Sequence, residues 1–441
     1  MDNPRYTVYK ALYKIEKEKS YSNLTLDSVL KSSDLTQRDS AFVSALFYGV
    51  LEKKVTLDYI ISKFSSVRLK KIELKTLIIL RMGVYQLVFM DKVPDSACVN
   101  ESVKICKKER LYQSSGFVNG VLRSITRAEN RFPLPDKKDT VKYYSVKYSC
   151  PEDIVKLWVD DYSQELCEQI LKTLADRPPI FLRVNILKTN RDDLINQLSD
   201  ENVEASIIEG QDNTLQIKYT GSLSDKKCFK KGMFHIQDLS SQICCDILNV
   251  QDGDIVSDVC SAPGGKALNI AQRTLKGKVY CYDIYEHKSK LIKVSAERLG
   301  IENIYVKKRD ALSEIPLEMS DRILCDVPCS GLGIIRRKPE IAYKPDKGID
   351  TLPQIQYKIL ENSAEYLKQG GILVYSTCTL HRAENGDVVT RFLSEHSDFE
   401  PYPITLPKGI TRKIDEPENM VTLFPDTDGN DGFFISALRK R

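Results

Sequence analysis

The sequence predicts an α/β protein, with a doubly wound parallel-sheet domain at its C-terminal end, an all-α bundle at its start and a small α+β unit between them. Three observations predict this. From about residue 250, short apolar runs alternate with amphipathic stretches of helix length. Residues 1 to about 128 instead carry apolar side chains at three- and four-residue steps. Residues 180–245 switch to brief, strand-like runs around one helical stretch. A chain of 441 residues has room for two or three such domains.

In the first region, Thr36-Gln37-Arg38-Asp39 reads as a helix start, because a threonine hydroxyl there accepts from a first-turn N–H. Phe42, Leu46 and Val50 follow at four-residue spacing. Leu74, Leu77, Ile78, Arg81 and Tyr85 lie at the helical steps of a second helix, with Leu80, Val84, Leu87 and Val88 widening its apolar face. Phe117, Val121, Leu122 and Ile125 mark a last helix, so a helical bundle is expected. Phe132-Pro133-Leu134-Pro135-Asp136 reads as a connection. Residues 153–174 read as one helix anchored by Trp158, and Arg177-Pro178-Pro179 marks a second boundary. Strands are expected at 180–185, 204–209 and 215–219, with a helix at 191–198. In the last region strands are expected at 255–259, 279–282, 304–306, 323–325 and 372–375. The helices expected there are 267–273, 287–299 and 353–367, and a final, antiparallel strand is expected at 433–438. The expected division is 1–130, an all-α domain; 131–178, a helical linker; 179–245, a small α+β subdomain; and 246–441, the doubly wound α/β domain.

Composition narrows the classes. The start of the chain lacks a basic-then-apolar leader pattern, and the longest apolar stretch, 77–90, is broken by Arg81 and too short to span a bilayer. A cytoplasmic protein with no membrane partner is expected. Twelve cysteines include no Cys-x-x-Cys pair, and there are four histidines, so zinc-type spacing is absent and no metal is expected. Cys98, Cys106, Cys281 and Cys325 sit in apolar runs and read as reduced core residues. Residues 1–128 hold 22 Lys and Arg against 13 Asp and Glu, whereas the remainder is acidic. A basic first third fits a nucleic-acid contact surface and equally fits a solvated lysine-rich helix surface.

After the first strand of the last region comes Asp258-Val259-Cys260-Ser261-Ala262-Pro263-Gly264-Gly265-Lys266. Paired glycines let the backbone approach a ligand, and a helix N-terminus follows. The loop is not Gly-x-Gly-x-x-Gly, so a dinucleotide is the weaker reading. Asp283 ends the second strand, where a carboxylate accepts from both ribose hydroxyls, and Asp310 follows the third, within reach of an adenine edge. An adenosine ligand without phosphates, S-adenosylmethionine, fits these positions. A surface turn with scattered acids is the plainer reading, disfavoured by three successive strand ends.

The fourth strand ends in Asp326-Val327-Pro328-Cys329 and the fifth in Ser376-Thr377-Cys378. In a doubly wound sheet the first, fourth and fifth strands are neighbours, so both thiols face one crevice. A lone cysteine in a strand is usually core; two at consecutive strand ends suit attack on a poorly nucleophilic ring carbon. A thiolate adding to C6 of cytosine makes C5 carbanion-like. A carboxylic acid at N3, the role open to Asp326, stabilises the developing charge.

These residues resemble the Nol/Nop/Sun RNA cytosine-5 methyltransferases. The similarity runs through 258–266, 326–331, 376–380, Glu384-Asn385 and Asp431-Gly432-Phe433-Phe434, covering essentially all of 250–441. The first third resembles the NusB-like RNA-binding domain, through Arg38-Asp39, Tyr48-Gly49-Val50 and Phe117-Val118-Asn119-Gly120-Val121-Leu122. That pairing resembles the bacterial Sun/RsmB-type branch, which acts on small-subunit (16S) ribosomal RNA. The resemblance implies a Rossmann-like class I methyltransferase domain, with Cys378 as nucleophile, Cys329 assisting product release and Asp326 stabilising cytosine N3. It also implies cofactor binding by Cys260, Ser261, Ala262, Pro263, Gly264, Gly265, Lys266, Asp283, Asp310 and Asp326. DNA cytosine methyltransferases place the nucleophile in the Pro-Cys motif, so the choice between the thiols rests on the family.

Two other readings stay open at this level. One is the same chemistry on transfer RNA. The other is a non-catalytic RNA-binding assembly factor, which has no need of intact thiols or cofactor loop. A monomer is the expected state.

Overall fold

The computed structural model describes residues 3–18, 22–219, 221–316, 318–344, 348–426 and 429–441. The chain forms two compact units, Met1–Asp176 with Ile335–Pro345, and Arg177–Ile334 with Asp346–Arg441.

The first unit is helical. Its helices are α1 (Pro4–Glu18), α2 (Ser22–Lys31), α3 (Gln37–Glu52), α4 (Lys54–Phe64), α5 (Leu74–Phe89), α6 (Asp95–Lys108), α7 (Tyr112–Thr126), α8 (Thr140–Tyr148), α9 (Glu152–Asp161) and α10 (Gln164–Thr173). Thr36 caps α3 as its sequence predicts, its hydroxyl accepting from Asp39 N at 3.1 Å. Helix α5 is apolar on nearly every side and runs through the core, as an all-round apolar helix must. It also buries Arg81. That charge is tolerable because Asp58 grips the guanidinium at 2.7 and 2.8 Å and Glu16 adds a contact at 3.0 Å.

Where one helix was expected across 153–174, two form. Ser163 turns extended and its hydroxyl accepts from Leu166 N at 3.1 Å, capping α10 and ending α9 at Asp161. Trp158, fully buried, is the anchor expected of it. The 3-10 turn Pro339–Tyr343 belongs to this same unit. Its Glu340 carboxylate accepts from Ser22 N and Oγ at 3.3 and 2.8 Å, placing negative charge at the start of α2. Its Tyr343 hydroxyl donates to Ser149 O at 3.3 Å.

The second unit holds two sheets. The smaller comprises β1 (Ile180–Val184), β2 (Glu204–Ile208), β3 (Gln211–Lys218) and β4 (Phe234–Ile236) in the antiparallel order β2-β3-β1-β4. One face packs Leu182, Val184, Leu215, Ile217 and Phe234 against Leu194 and Leu198 of α11 (Arg191–Asp200). Strand β4 had no sequence forecast, being three residues long with a buried histidine, His235, in the middle. The short helix α12 (Lys227–Lys230) precedes it and α13 (Leu239–Ile247) follows it.

The larger sheet comprises β5 (Ile255–Asp258), β6 (Lys278–Asp283), β7 (Ile304–Lys308), β8 (Ser320–Asp326), β9 (Leu367–Thr377), β10 (Phe399–Pro401), β11 (Met420–Leu423) and β12 (Phe433–Lys440). Its order is β10-β12-β9-β8-β5-β6-β7, with β11 on β12. Strands β5 to β9 pair in parallel, and β12 joins antiparallel to β9, as predicted. The helices between them are α14 (Gly265–Ala271), α15 (Glu286–Leu299), α16 (Leu352–Glu365) and α17 (Gly386–Glu395). From β5 the chain winds outward through β6 and β7, then crosses back to β8 and β9. The direction reverses between β5 and β8, which opens a ligand crevice beyond their carboxyl ends.

Arg81→Ala leaves Asp58 and Glu16 without their shared cation. It should lower the stability of the helical unit by about 3 kcal/mol, read as an earlier urea midpoint for its unfolding. An unchanged midpoint would show that the pair contributes nothing.

Candidate functional site

Asp283 and Asp326 are the last residues of β6 and β8, Cys329 and Cys378 follow β8 and β9, residues 260–264 form the loop after β5 with Gly265 and Lys266 opening α14, and Asp310 follows β7. The loop after β5 turns sharply. Gly264 has φ +102°, the left-handed conformation that favours glycine, and a Cβ there would lie 3.0 Å from Ile292 Cγ1. Around Gly265 nothing lies within 4 Å of where a Cβ would sit, so the first turn of α14 faces open space. Asp283 at the end of β6 ties this loop down, accepting from Ala262 N at 3.3 Å and Tyr285 N at 2.8 Å. Arg309 N donates to Asp283 O at 3.1 Å, linking the ends of β6 and β7 beside Asp310.

Lys266 reaches from α14 to the end of β8, where its ammonium lies 2.7 Å from Asp326 Oδ2. Ser376 Oγ, at the end of β9, donates to Asp326 Oδ1 at 2.9 Å. Burial alone would pull the Lys266 ammonium pKa down; the Asp326 carboxylate outweighs it and raises the pKa. Lys266 therefore stays charged. Two strand ends and the first turn of α14 thus meet at one carboxylate.

Asp258 was not singled out from sequence. It is buried at the end of β5, and burial, followed by the Asp326 charge, pushes its carboxyl up to about 7. Its Oδ1 and the Ser261 Oγ make no hydrogen bond of regular geometry, although the Ser261 side chain lies near enough to oppose the rise in the Asp258 carboxyl. Burial raises the Cys260 thiol as well.

Cys329 and Cys378 face each other, Sγ to Sγ, at 3.3 Å, both partly buried. The register explains why: Asp326 pairs with Ser376 across β8 and β9, and each cysteine follows within three residues. The contact with Cys378, then burial, then nearby carboxylates hold the Cys329 thiol well above its ordinary range. Either sulfur can be the donor in this contact. Cys98, Cys106, Cys281 and Cys325 are buried free cysteines, the core residues expected. Among the described residues no cluster of three or more His, Cys, Asp or Glu suits a metal ion, and no helix is long and apolar enough to cross a membrane.

Sequence reasoning named Glu384 and Asn385 as motif members without giving them a task. Glu384 is fully buried, with its carboxylate on the turn that carries Cys329. Gln356, from α16, supports the same turn by donating to Pro328 O at 2.9 Å. Its position 28 residues from either partner left no signal in the sequence.

This arrangement has counterparts. The family model described as 16S rRNA methyltransferase RsmB/F matches residues 245–439. The NusB family model matches 2–127, and a ferredoxin-like domain model of RsmF/B-like methyltransferases matches 150–223. The chain is 38% identical to a probable ribosomal RNA small subunit methyltransferase B of Bacillus subtilis, over 98% of this chain and 97% of that protein. It is 33% identical to the protein of the same description from Synechocystis, over the full length of both. Among solved structures, PH0851 superimposes with a TM-score of 0.84 over 100% of this chain and 99% of that one, at 23% identity, a likeness of fold. A methyltransferase homologue from Pyrococcus horikoshii gives a TM-score of 0.59 at 26% identity, over 69% of this chain and 99% of that one. With its NusB-like, ferredoxin-like and methyltransferase parts in one chain, the protein belongs to the RsmB/Sun family of ribosomal RNA small subunit methyltransferases.

Proposed function

We propose that this enzyme methylates C5 of a cytosine in 16S ribosomal RNA, using S-adenosylmethionine and a covalent adduct between Cys378 and C6. The observation that carries the reading is the pair of thiols 3.3 Å apart, at the ends of adjacent parallel strands, beside the Lys266–Asp326 pair. The names of the relatives, which specify the ribosomal small subunit, favour ribosomal over transfer RNA. Intact thiols and loop argue against a non-catalytic assembly factor. The cytoplasm and a monomer remain the proposed setting.

The crevice fits the cofactor. Open space at Gly265, Asp258 Oδ1 and Ser261 Oγ without a regular hydrogen bond, and the carboxylates of Asp283 and Asp310 offer what an adenosyl group with a cationic amino-acid tail requires. Residues 260–266 would hold the tail side, Asp283 the ribose and Asp310 the adenine. When bound, S-adenosylmethionine supplies an electrophilic methyl group.

The chain's own residues supply the rest. The Cys378 thiolate adds to C6, and the electron pair of the C5–C6 bond becomes available at C5. Lys266 and Asp326 stabilise the charge that develops at N3, with the Lys266 ammonium supplying the positive charge of the pair. Once C5 has taken the methyl group, loss of its proton restores the C5–C6 double bond and expels the Cys378 thiolate. Cys329 assists this release. The target base has to be unstacked, because the thiolate approaches its face.

Three tests follow from this reading. Ribosomal RNA incubated with S-adenosylmethionine and enzyme, then run under denaturing conditions, should give a covalent band that accumulates with Cys329→Ala and vanishes with Cys378→Ala. Cys378→Ala should also lose turnover by about 10³-fold or more. The reverse pattern would move the nucleophile to Cys329. Asp283→Ala should weaken cofactor binding about tenfold or more, measured by calorimetry, and unchanged affinity would remove Asp283 from the site. Asp258 supplies a pH test. The unfolded carboxyl titrates near its ordinary 3.8 and the folded one near about 7. Between these values the folded protein holds a proton that the unfolded chain has released, so this group's contribution to stability falls as pH rises from about 4 to about 7. The stability difference, wild type minus Asp258→Asn, should decline across that window, and a flat difference would refute the assignment.

A further inference from the structure

We propose that Glu384 and Asn385, adjacent in sequence, are positioning residues that each hold one thiol-bearing loop, so that Glu384 governs release of the covalent adduct and Asn385 its formation. The proposal rests on the two-thiol reading above.

The Glu384 carboxylate bonds mainly to the loop that carries Cys329, and the Asn385 amide to the loop that carries Cys378. Glu384 Oε2 accepts from Ser330 N and Gln356 Nε2, each at 2.9 Å. Its Oε1 accepts from Ser330 Oγ at 2.6 Å and meets His381 Nδ1 at 3.1 Å. The same Gln356 nitrogen donates to Pro328 O at 2.9 Å. Both neighbours of Cys329 are therefore fixed by Glu384 or by the side chain bonded to it. Asn385, also buried, does the equivalent for Cys378. Its Oδ1 accepts from Thr377 Oγ1 at 2.5 Å and its Nδ2 donates to Thr379 O at 3.0 Å.

One contact ties the two grips together. Ser330 Oγ and Thr379 Oγ1 are 2.7 Å apart. Ser330 spends its proton on Glu384, so Thr379 is the donor between them. Tyr375 OH donates to Glu384 O at 2.6 Å, which fastens the segment to β9. Burial pushes the Glu384 carboxyl up, but hydrogen bonds from His381, Ser330 and Gln356 outweigh it and hold it below its ordinary range, so it remains an acceptor at neutral pH. Each acts on the residues that flank a cysteine.

A fully bonded buried carboxylate also contributes stability, and that role alone predicts parallel loss of every activity on substitution. The division of partners predicts something else. With Glu384 altered, Asn385 still holds Cys378, so the adduct forms while Cys329 is misplaced for release. With Asn385 altered, the nucleophile itself is loosened.

The experiment is the denaturing-gel assay with S-adenosylmethionine and ribosomal RNA, run on Glu384→Gln, Asn385→Ala, Cys329→Ala and Cys378→Ala, with cofactor affinity measured on each as the control for folding. Glu384→Gln should slow turnover about tenfold while the covalent band rises above wild type. Asn385→Ala should lose turnover without accumulating a band. Ser330→Ala removes only the hydroxyl between the two grips and tests the same point if Glu384→Gln does not fold; it too should accumulate adduct. Parallel loss of band and turnover in Glu384→Gln, or wild-type behaviour of Ser330→Ala, would overturn the proposal while a band in Cys329→Ala left the two-thiol reading standing. No band in Cys329→Ala would remove that reading, and the proposal with it.

Discussion

The catalytic crevice depends on one partly buried ion pair. Lys266 leaves the β5 side of the switch point and Asp326 ends the first strand on the other side, so their 2.7 Å contact bridges the place where the sheet reverses direction. Neither charge is stable alone in so dry a setting; removing one partner of such a pair costs about 3–5 kcal/mol. Ser376 occupies the second oxygen of Asp326, which brings β9 into the same junction. Both cysteines follow this junction by two or three residues, so their separation is inherited from it. The pair thereby couples the loop after β5 to the thiols through short stretches of backbone.

Around that junction the polar groups fall into two kinds. Glu384, Asn385, Gln356 and Ser330 are hydrogen-bonded to the protein itself and keep the loops in place. Asp258 Oδ1 and Ser261 Oγ make no hydrogen bond of regular geometry. A fully bonded network specifies one backbone arrangement, whereas an orphaned acceptor costs stability unless something fills it. The loops that carry the thiols are hydrogen-bonded throughout, and the unsatisfied oxygens lie on the β5 side.

Much of this was legible in the sequence because the parallel strands announce themselves by apolar runs followed by Asp, Gly or Cys. The positions of Asp283, Asp326, Cys329 and Cys378 at strand ends follow from that rhythm alone. The break between α9 and α10 was legible in principle: Ser163 is a helix cap, but the apolar periodicity runs across it and masks the stop. Strand β4 was not, because three residues give too little alternation to register and its strand partner, β1, lies some 50 residues away. The pairing of Lys266 with Asp326 spans 60 residues, and that of Ser330 with Glu384 spans 54. Which acid meets which donor at those distances is decided by strand order, and no local pattern carries it.

The first unit draws its last piece, Ile335–Pro345, from far along the chain. Glu340 and Tyr343 have their partners at Ser22 and Ser149, residues synthesised long before them. During translation the helical unit therefore stays incomplete, with the start of α2 lacking its carboxylate, until most of the second unit's central strands have also left the ribosome. The two units cannot mature strictly one after the other, and a fragment cut after residue 176 would carry the helices without the turn that finishes them.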